Sequence, residues 1–419
     1  MIKFERFILE NGLKVLVHED PHSPMACMNI LYNVGARDEK EDKTGFAHLF
    51  EHLMFSGSVN IPNYDQPLQR VGGENNAFTS NDITNYYITL PANNIETAFW
   101  LESDRMMGLA FNEQGLEVQR NVVIEEFKQR YLNQPYGDVW LKLRDLAYKV
   151  HPYKWATIGK EVKHIEDAKM EDVKAFFKKF YTPNNAIVAI TGNVKLNDIK
   201  ALAEKWFADI PVGEANDRNL PQEPKQTAAR VEEVTADVPV SSIYIAFHSV
   251  DRLDPNYQVV DLITDVLARG SSSRLYRRLV KERKLFSEIN AYVLGSLDNN
   301  LIVVEGKPVE TVTLEDAEKA IWEELDKLKT ELVSIEELTK VKNKIESTMV
   351  FAELSILDKA MNLAYYELLG DAELYNQEVE KYLNITAEDI MRVSQETFQR
   401  DNSSTLMYNA RSKEAEHAE

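Results

Sequence analysis

The chain has 419 residues, 44% of them hydrophobic and 28% charged, a globular composition with room for two or three domains. Its 48 Lys and Arg face 68 Asp and Glu, and the net charge of −20 excludes general binding to nucleic-acid phosphates and disfavours anionic membrane surfaces. Cys27 is the only cysteine, so an internal disulfide and a cysteine-based metal cluster are both excluded. The N-terminus lacks the apolar core of a signal peptide, and no apolar run approaches the ~20 residues that span a bilayer. The expectation is a cytoplasmic chain without membrane insertion, or one that has lost a targeting segment.

In chain order, Phe4 to Leu9 and Leu13 to His18 read as strands around the hairpin dipeptide Asn11-Gly12. Met25 to Val34 continues the strand pattern. A helix is predicted from an N-cap at Thr44 to a stop at Gly57. Ile83 to Leu90 alternates as a strand, and Asn94 to Leu109 and Asn112 to Leu132 read as amphipathic helices. Ala186 to Thr191 is a buried strand.

Pro211 to Arg230 holds Pro211, Gly213, Pro221 and Pro224 among polar residues, as a linker would. Around it, Glu171-Asp172-Val173 through Pro183-Asn184-Asn185 resembles Glu388-Asp389-Ile390 through Arg400-Asp401-Asn402 at a constant offset of 217 residues. The fold class expected is α+β, with two related halves, each a mostly antiparallel sheet packed against helices. The domains are 1–212, a linker at 213–230, and 231–419 without a metal motif.

His48-Leu49-Phe50-Glu51-His52 lies in the middle of the first predicted helix. His48 and His52 are four residues apart, so their imidazoles share one helical face and can share a metal ion. Glu51 can reach a water on that ion without being a ligand, in the order H-x-x-E-H. Phe46, Leu49, Phe50, Leu53, Met54 and Phe55 make the helix apolar over much of its circumference. Buried His and Glu need partners, and a metal satisfies all three. The bland alternative is two solvated helical histidines with a Glu between them. A catalytic zinc takes three protein ligands and keeps one position for water. Helix 112–132 offers Glu113, Glu117, Glu125 and Glu126 as the third, and spacing does not choose among them.

His48 through Ser58, HLFEHLMFSGS, resembles the signature of the pitrilysin family of metallopeptidases, also called the M16 or inverzincin family. Gly72-Gly73-Glu74-Asn75-Asn76-Ala77-Phe78-Thr79 resembles the family's glycine turn and substrate-binding edge strand. Gln119 through Glu126, QRNVVIEE, resembles its third-ligand segment, and Tyr181-Thr182-Pro183-Asn184-Asn185 a later landmark. The resemblance implies one Zn²⁺ held by His48, His52 and Glu126, with Glu51 as the catalytic base. It implies that Asn76 and Ala77 bind a peptide substrate through an added strand.

Two positions depart from the family pattern. The glutamate that assists catalysis seven residues before the third ligand is Gln119 here, which cannot titrate; Glu117 is an alternative. The family's Arg and Tyr, seven residues apart in the second half, fall on Val280 and Ser287. None of Arg274, Arg277, Arg278 or Arg283 has a Tyr seven residues on, and Arg269 with Tyr276 lies before the expected place. The resemblance therefore implies a zinc-dependent endopeptidase subunit completed by a second M16-like chain carrying the Arg/Tyr pair. Mitochondrial processing peptidase divides labour in this way. A homodimer, a non-catalytic scaffold and a peptide-binding subunit are the alternatives.

Overall fold

Asn11-Gly12 turns the chain with Gly12 at φ +86°, a left-handed conformation that favours glycine. Strands β1 (Glu5–Ile8) and β2 (Lys14–Glu19) pair antiparallel on either side, with Ile8 opposite Lys14. The computed structural model describes residues 1–411. They form two compact units. One contains Met1–Lys128, Trp155–Leu220 and Thr348–Glu378; the other contains Gln129–Lys154, Pro221–Ser347 and the residues from Val379 on.

The first unit is built on a sheet with strand order β1-β2-β6-β3-β5-β4. Its further strands are β3 (Met25–Tyr32), β4 (Glu74–Thr79), β5 (Thr84–Pro91) and β6 (Ala186–Gly192). β2 and β6 run parallel, and the other pairs are antiparallel. β6 is buried along its whole length, as a central strand covered on both faces must be. On one face lies helix Phe46–Leu53, where Phe50 stacks on Tyr181 with ring centroids 5.0 Å apart. On the other, Ala360, Leu363 and Ala364 of helix Ile356–Leu368 join Leu16, Cys27, Leu31 and Ala189 in one core cluster.

The spatial division differs from the contiguous domains 1–212 and 231–419 in two segments. The sheet of the first unit has a second apolar face to cover, and residues 348–378 cover it. Residues 129–154 likewise bring Leu143, Ala147 and Tyr148 against Val303 and Leu406 in the second unit.

The second sheet has the order β7-β11-β8-β10-β9. Its strands are β7 (Arg230–Ala236), β8 (Ser242–His248), β9 (Phe286–Val293), β10 (Leu301–Pro308) and β11 (Ser403–Ala410). β7 and β11 are its parallel pair. The sequence repeat is structural. Helices Met170–Phe180 and Ala387–Thr397 each end in a short 3-10 turn and feed β6 and β11. Their C-caps, Tyr181 (φ −95°, ψ 61°) and Phe398 (φ −85°, ψ 61°), share one conformation.

Between Phe207 and Arg230 the chain has neither helix nor strand, yet side chains hold it. Arg218 pairs with Asp38 at 2.6 Å and donates to Asn33 Oδ1 at 2.8 Å. Further on, Glu223 accepts the N–H groups of Lys149, Val150 and His151 at 2.8–2.9 Å. Among the described residues, no helix is long and apolar enough to cross a membrane.

Candidate functional site

Helix Phe46–Leu53 starts at Gly45, which has φ +88° and packs so closely that a Cβ would stand 2.6 Å from the Ile158 carbonyl oxygen. Thr44, expected from the sequence as the cap, instead sets its hydroxyl 2.8 Å from His164 Nδ1 and accepts the Lys160 N–H at 2.7 Å. The cap is Glu39. Its two carboxylate oxygens accept the N–H groups of Gly45 and Ala47, each at 2.8 Å. These are donors that a helix start leaves unsatisfied, at its electropositive end. Burial pushes the Glu39 carboxyl up to about 8, against the pull of the two donors.

One turn on, His48 and His52 stack with rings 5.0 Å apart and Nε2 atoms 3.0 Å apart. Glu126, near the end of helix Glu113–Phe127, brings its Oε2 to 3.3 Å from His48 Nε2 and 3.4 Å from His52 Nε2. Asn112 caps that helix, its Oδ1 accepting the Gly115 N–H. Of the four carboxylates on the helix, Glu113, Glu117 and Glu125 are exposed and Glu126 is half-buried. Burial thus distinguishes the one that joins the histidines. Ligand atoms at about 2.0–2.2 Å from a tetrahedral ion stand about 3.3–3.6 Å from one another. Two imidazole nitrogens and one carboxylate oxygen at these separations fit one small cation, which would satisfy all three at once.

Glu51 precedes His52 on the same helix and is half-buried. Thr79, the last residue of β4, donates through its hydroxyl to Glu51 Oε2 at 2.6 Å. β4 is the edge of its sheet, and its residues alternate between exposed and half-buried. Asn76 and Ala77 lie in the middle of that edge, opposite Tyr87 and Tyr86. The Ala77 N–H is taken by Asn76 Oδ1 at 2.8 Å. An edge strand of this kind presents backbone groups to which an extended peptide can add.

Several supporting residues carry no signal in the sequence. Arg105 is 1% exposed and donates to Glu102 at 2.6 and 2.7 Å. Its guanidinium lies 4.4, 4.7 and 5.4 Å from the ring centres of Tyr86, Tyr64 and Phe55, tying β5 to the segment that follows the motif helix. Asp104 accepts from Ser58 Oγ and from both the backbone and side chain of Asn60, at 2.5–3.0 Å. In the sequence, Glu102 and Arg105 look like an ordinary surface pair three residues apart on a helix.

Gln119 is half-buried on helix Glu113–Phe127, two turns before Glu126. Glu117 is exposed, pairs with Arg120 and accepts from Asn121 at 3.2 Å. Val280 sits in the widened helical turn Tyr276–Glu282, and Ser287, the second residue of β9, donates its hydroxyl to the Lys307 carbonyl at 3.1 Å. The nearby arginines are engaged within their own unit. Arg274 forks onto Glu337 at 2.9 and 3.0 Å, Arg277 and Arg278 pair with Glu282, Arg283 with Glu323 and Arg269 with Asp265.

A family model described as Insulinase (Peptidase family M16) matches residues 14–159, and one described as Peptidase M16 inactive domain matches residues 167–345. The chain is 30% identical to "Zinc protease PqqE" of Helicobacter pylori, over 96% of this chain and 92% of the relative. It is 24% identical to a probable mitochondrial-processing peptidase subunit beta of Arabidopsis thaliana, over 82% of this chain and 66% of that one. The crystal structure of a protease from Helicobacter pylori superposes with a TM-score of 0.92 at 28% identity, covering 98% of this chain and 100% of the other. Fold, both family models and relatives agree, and the chain belongs to peptidase family M16.

Proposed function

We propose that this chain is the zinc-bearing subunit of an endopeptidase acting on unfolded peptides. The observation that carries the reading is the convergence of His48, His52 and Glu126 at 3.0–3.4 Å beside Glu51 and the β4 edge. His48 and His52 as neutral imidazoles and Glu126 as carboxylate would hold one ion, and a donor set of two nitrogens and one carboxylate suits zinc. When bound, that ion lowers the pKa of a water and polarises a carbonyl.

Glu51 takes a proton from the attacking water and delivers it to the leaving amine. The Thr79 hydroxyl fixes the Glu51 carboxylate through Oε2 and leaves Oε1 for that transfer. Asn76 and Ala77 receive the substrate as an added strand, so recognition runs mainly through backbone and tolerates many sequences. The family's assisting position is Gln119, whose amide can hydrogen-bond but cannot titrate.

The family's Arg/Tyr positions fall on Val280, whose side chain has no donor, and Ser287, whose hydroxyl donates to the Lys307 carbonyl at 3.1 Å, so neither replaces the pair as a donor to a developing oxyanion. A second M16-like chain supplies that pair in a heterodimer. A non-catalytic scaffold would have no use for the general base that Glu51 provides here. Chelation should abolish peptide cleavage and added Zn²⁺ restore it; cleavage indifferent to chelation overturns the metal reading. Mixing with an M16-like chain that carries the Arg/Tyr pair should raise cleavage by ~10²–10³-fold. If the chain alone is as fast as the mixture, the partner is not needed.

A further inference from the structure

Arg37, Asp38 and Glu39 follow one another between β3 and the motif helix. Arg37 and Glu39 are buried, and the Asp38 side chain is 3% exposed. Consecutive charges this deeply placed need partners, and each finds a different one. Arg37 pairs with Asp82 at 3.2 Å, and its backbone N–H donates to the Asn81 carbonyl at 2.9 Å. Asn81 and Asp82 come just after Thr79, whose hydroxyl holds Glu51. Glu39 caps the helix that carries His48 and His52 through the Gly45 and Ala47 N–H groups. Asp38 takes Arg218.

Arg218 lies in the stretch without helix or strand, three residues before the chain passes into the second unit at Pro221. Its guanidinium forks onto Asp38, Nε to Oδ1 at 2.6 Å and Nη2 to Oδ2 at 3.0 Å. The same group donates to Asn33 Oδ1 at 2.8 Å and to the Asn33 carbonyl. Asp38 Oδ2 also accepts the Gly35 N–H at 2.9 Å. One guanidinium therefore fixes the end of β3 and the turn after it as a single piece, with charge-assisted bonds. Without it, Asp38 would be a buried carboxylate lacking its counter-charge, directly beside the carboxylate of Glu39. Adjacent like charges repel, and Glu39 is the one that must stay on the helix start.

We propose that Arg218 is a positioning residue for the metal cluster. Through Asp38 it sets the segment whose next residue, Glu39, holds the start of the helix bearing His48 and His52. The proposal rests on the metal reading above and extends the support of that site to a linker residue far along the chain.

The test is the Zn²⁺ affinity of the full chain, measured by competition with a chromogenic chelator. It is run at a temperature where circular dichroism shows parent and variants folded. Arg218→Met should weaken Zn²⁺ binding about tenfold, the lower end of what losing an outer partner of a metal site costs. Arg218→Lys restores the charge facing Asp38 and should recover most of that loss. Asp38→Asn is isosteric, should weaken binding similarly, and reads the same coupling if Arg218→Met does not fold. The double variant should bind no more weakly than either single one, as for two residues acting through one contact. Glu223→Ala removes a buried carboxylate from the second unit and should leave Zn²⁺ affinity unchanged, which separates positioning from a general loss of stability. Unchanged affinity in Arg218→Met and Asp38→Asn, no recovery in Arg218→Lys, additive losses in the double variant, or an equal loss in Glu223→Ala overturns the proposal. A parent chain that binds no Zn²⁺ overturns the metal reading together with it, whereas a zinc-binding parent with unaffected variants overturns the proposal alone.

Discussion

The two units share one sheet plan and differ in what hangs on it. β2-β6-β3-β5-β4 and β7-β11-β8-β10-β9 have the same order, with the parallel pair in the same place. In the first, the connection from β3 to β4 carries helix Phe46–Leu53 with His48, Glu51 and His52 half-buried on it. In the second, the connection from β8 to β9 carries helix Tyr257–Ala268, almost wholly buried and without a histidine. The sheet is thus a scaffold that serves equally well with and without the cluster. Function belongs to a few side chains placed on it, not to the fold.

The contrast can be broken from either side. Replacing His48, His52 or Glu126 by Ala should cost at least ~10²–10³-fold in peptide cleavage, the scale of losing a preorganised electrostatic element. Nothing comparable should follow from Glu223→Ala in the second unit. The next largest effect is on stability. Arg105→Met leaves Glu102 buried and unpaired and should cost about 3–5 kcal/mol in denaturant unfolding. A cost below that of an ordinary surface substitution would show that the aromatic cage, not the ion pair, holds the segment.

Glu223→Ala strands three N–H donors and should cost about 1–3 kcal/mol without changing metal affinity. Burial raises the Glu223 carboxyl, but the N–H groups of His151, Val150 and Lys149 outweigh it and hold the pKa below 4.5. Its contribution is therefore present above about pH 4.5 and lost as pH falls through the lowered value. Glu39 in the first unit has the opposite sign. Its carboxyl is pushed up to about 8, so the folded state binds the extra proton between 4.5 and about 8. Stability from this group should fall as pH rises through that window. Melting curves of Glu39→Gln across it should lose that slope, and an unchanged slope would assign it to other groups.

Much of this was legible in advance because the signals were local. Asn11-Gly12 marks its hairpin, and strand alternation locates β5 to within a residue. The histidine spacing marks a shared face because histidine is rare and helical geometry is rigid. What was not legible depends on contacts distant in sequence. Thr44 looks like a cap, but Glu39 outcompetes it by reaching the helix start from five residues further back. Glu125 and Glu126 are adjacent, and only the packing of their helix exposes one and turns the other to the histidines. Helix Ile356–Leu368 lies far along the chain, after the whole β7–β10 region. Its apolar face belongs to the first sheet, a destination that periodicity does not encode.

The central claim is that the first unit holds one catalytic metal and that Glu51 acts on chemistry, not on binding of the ion. The direct measurement is metal content and peptide cleavage, taken together on the parent and on Glu51→Gln. The account predicts one zinc per chain in both, with cleavage lowered ~10²–10⁴-fold in the variant. Zinc lost together with activity would make Glu51 a structural support of the cluster, and equal cleavage by the two proteins would contradict the account outright.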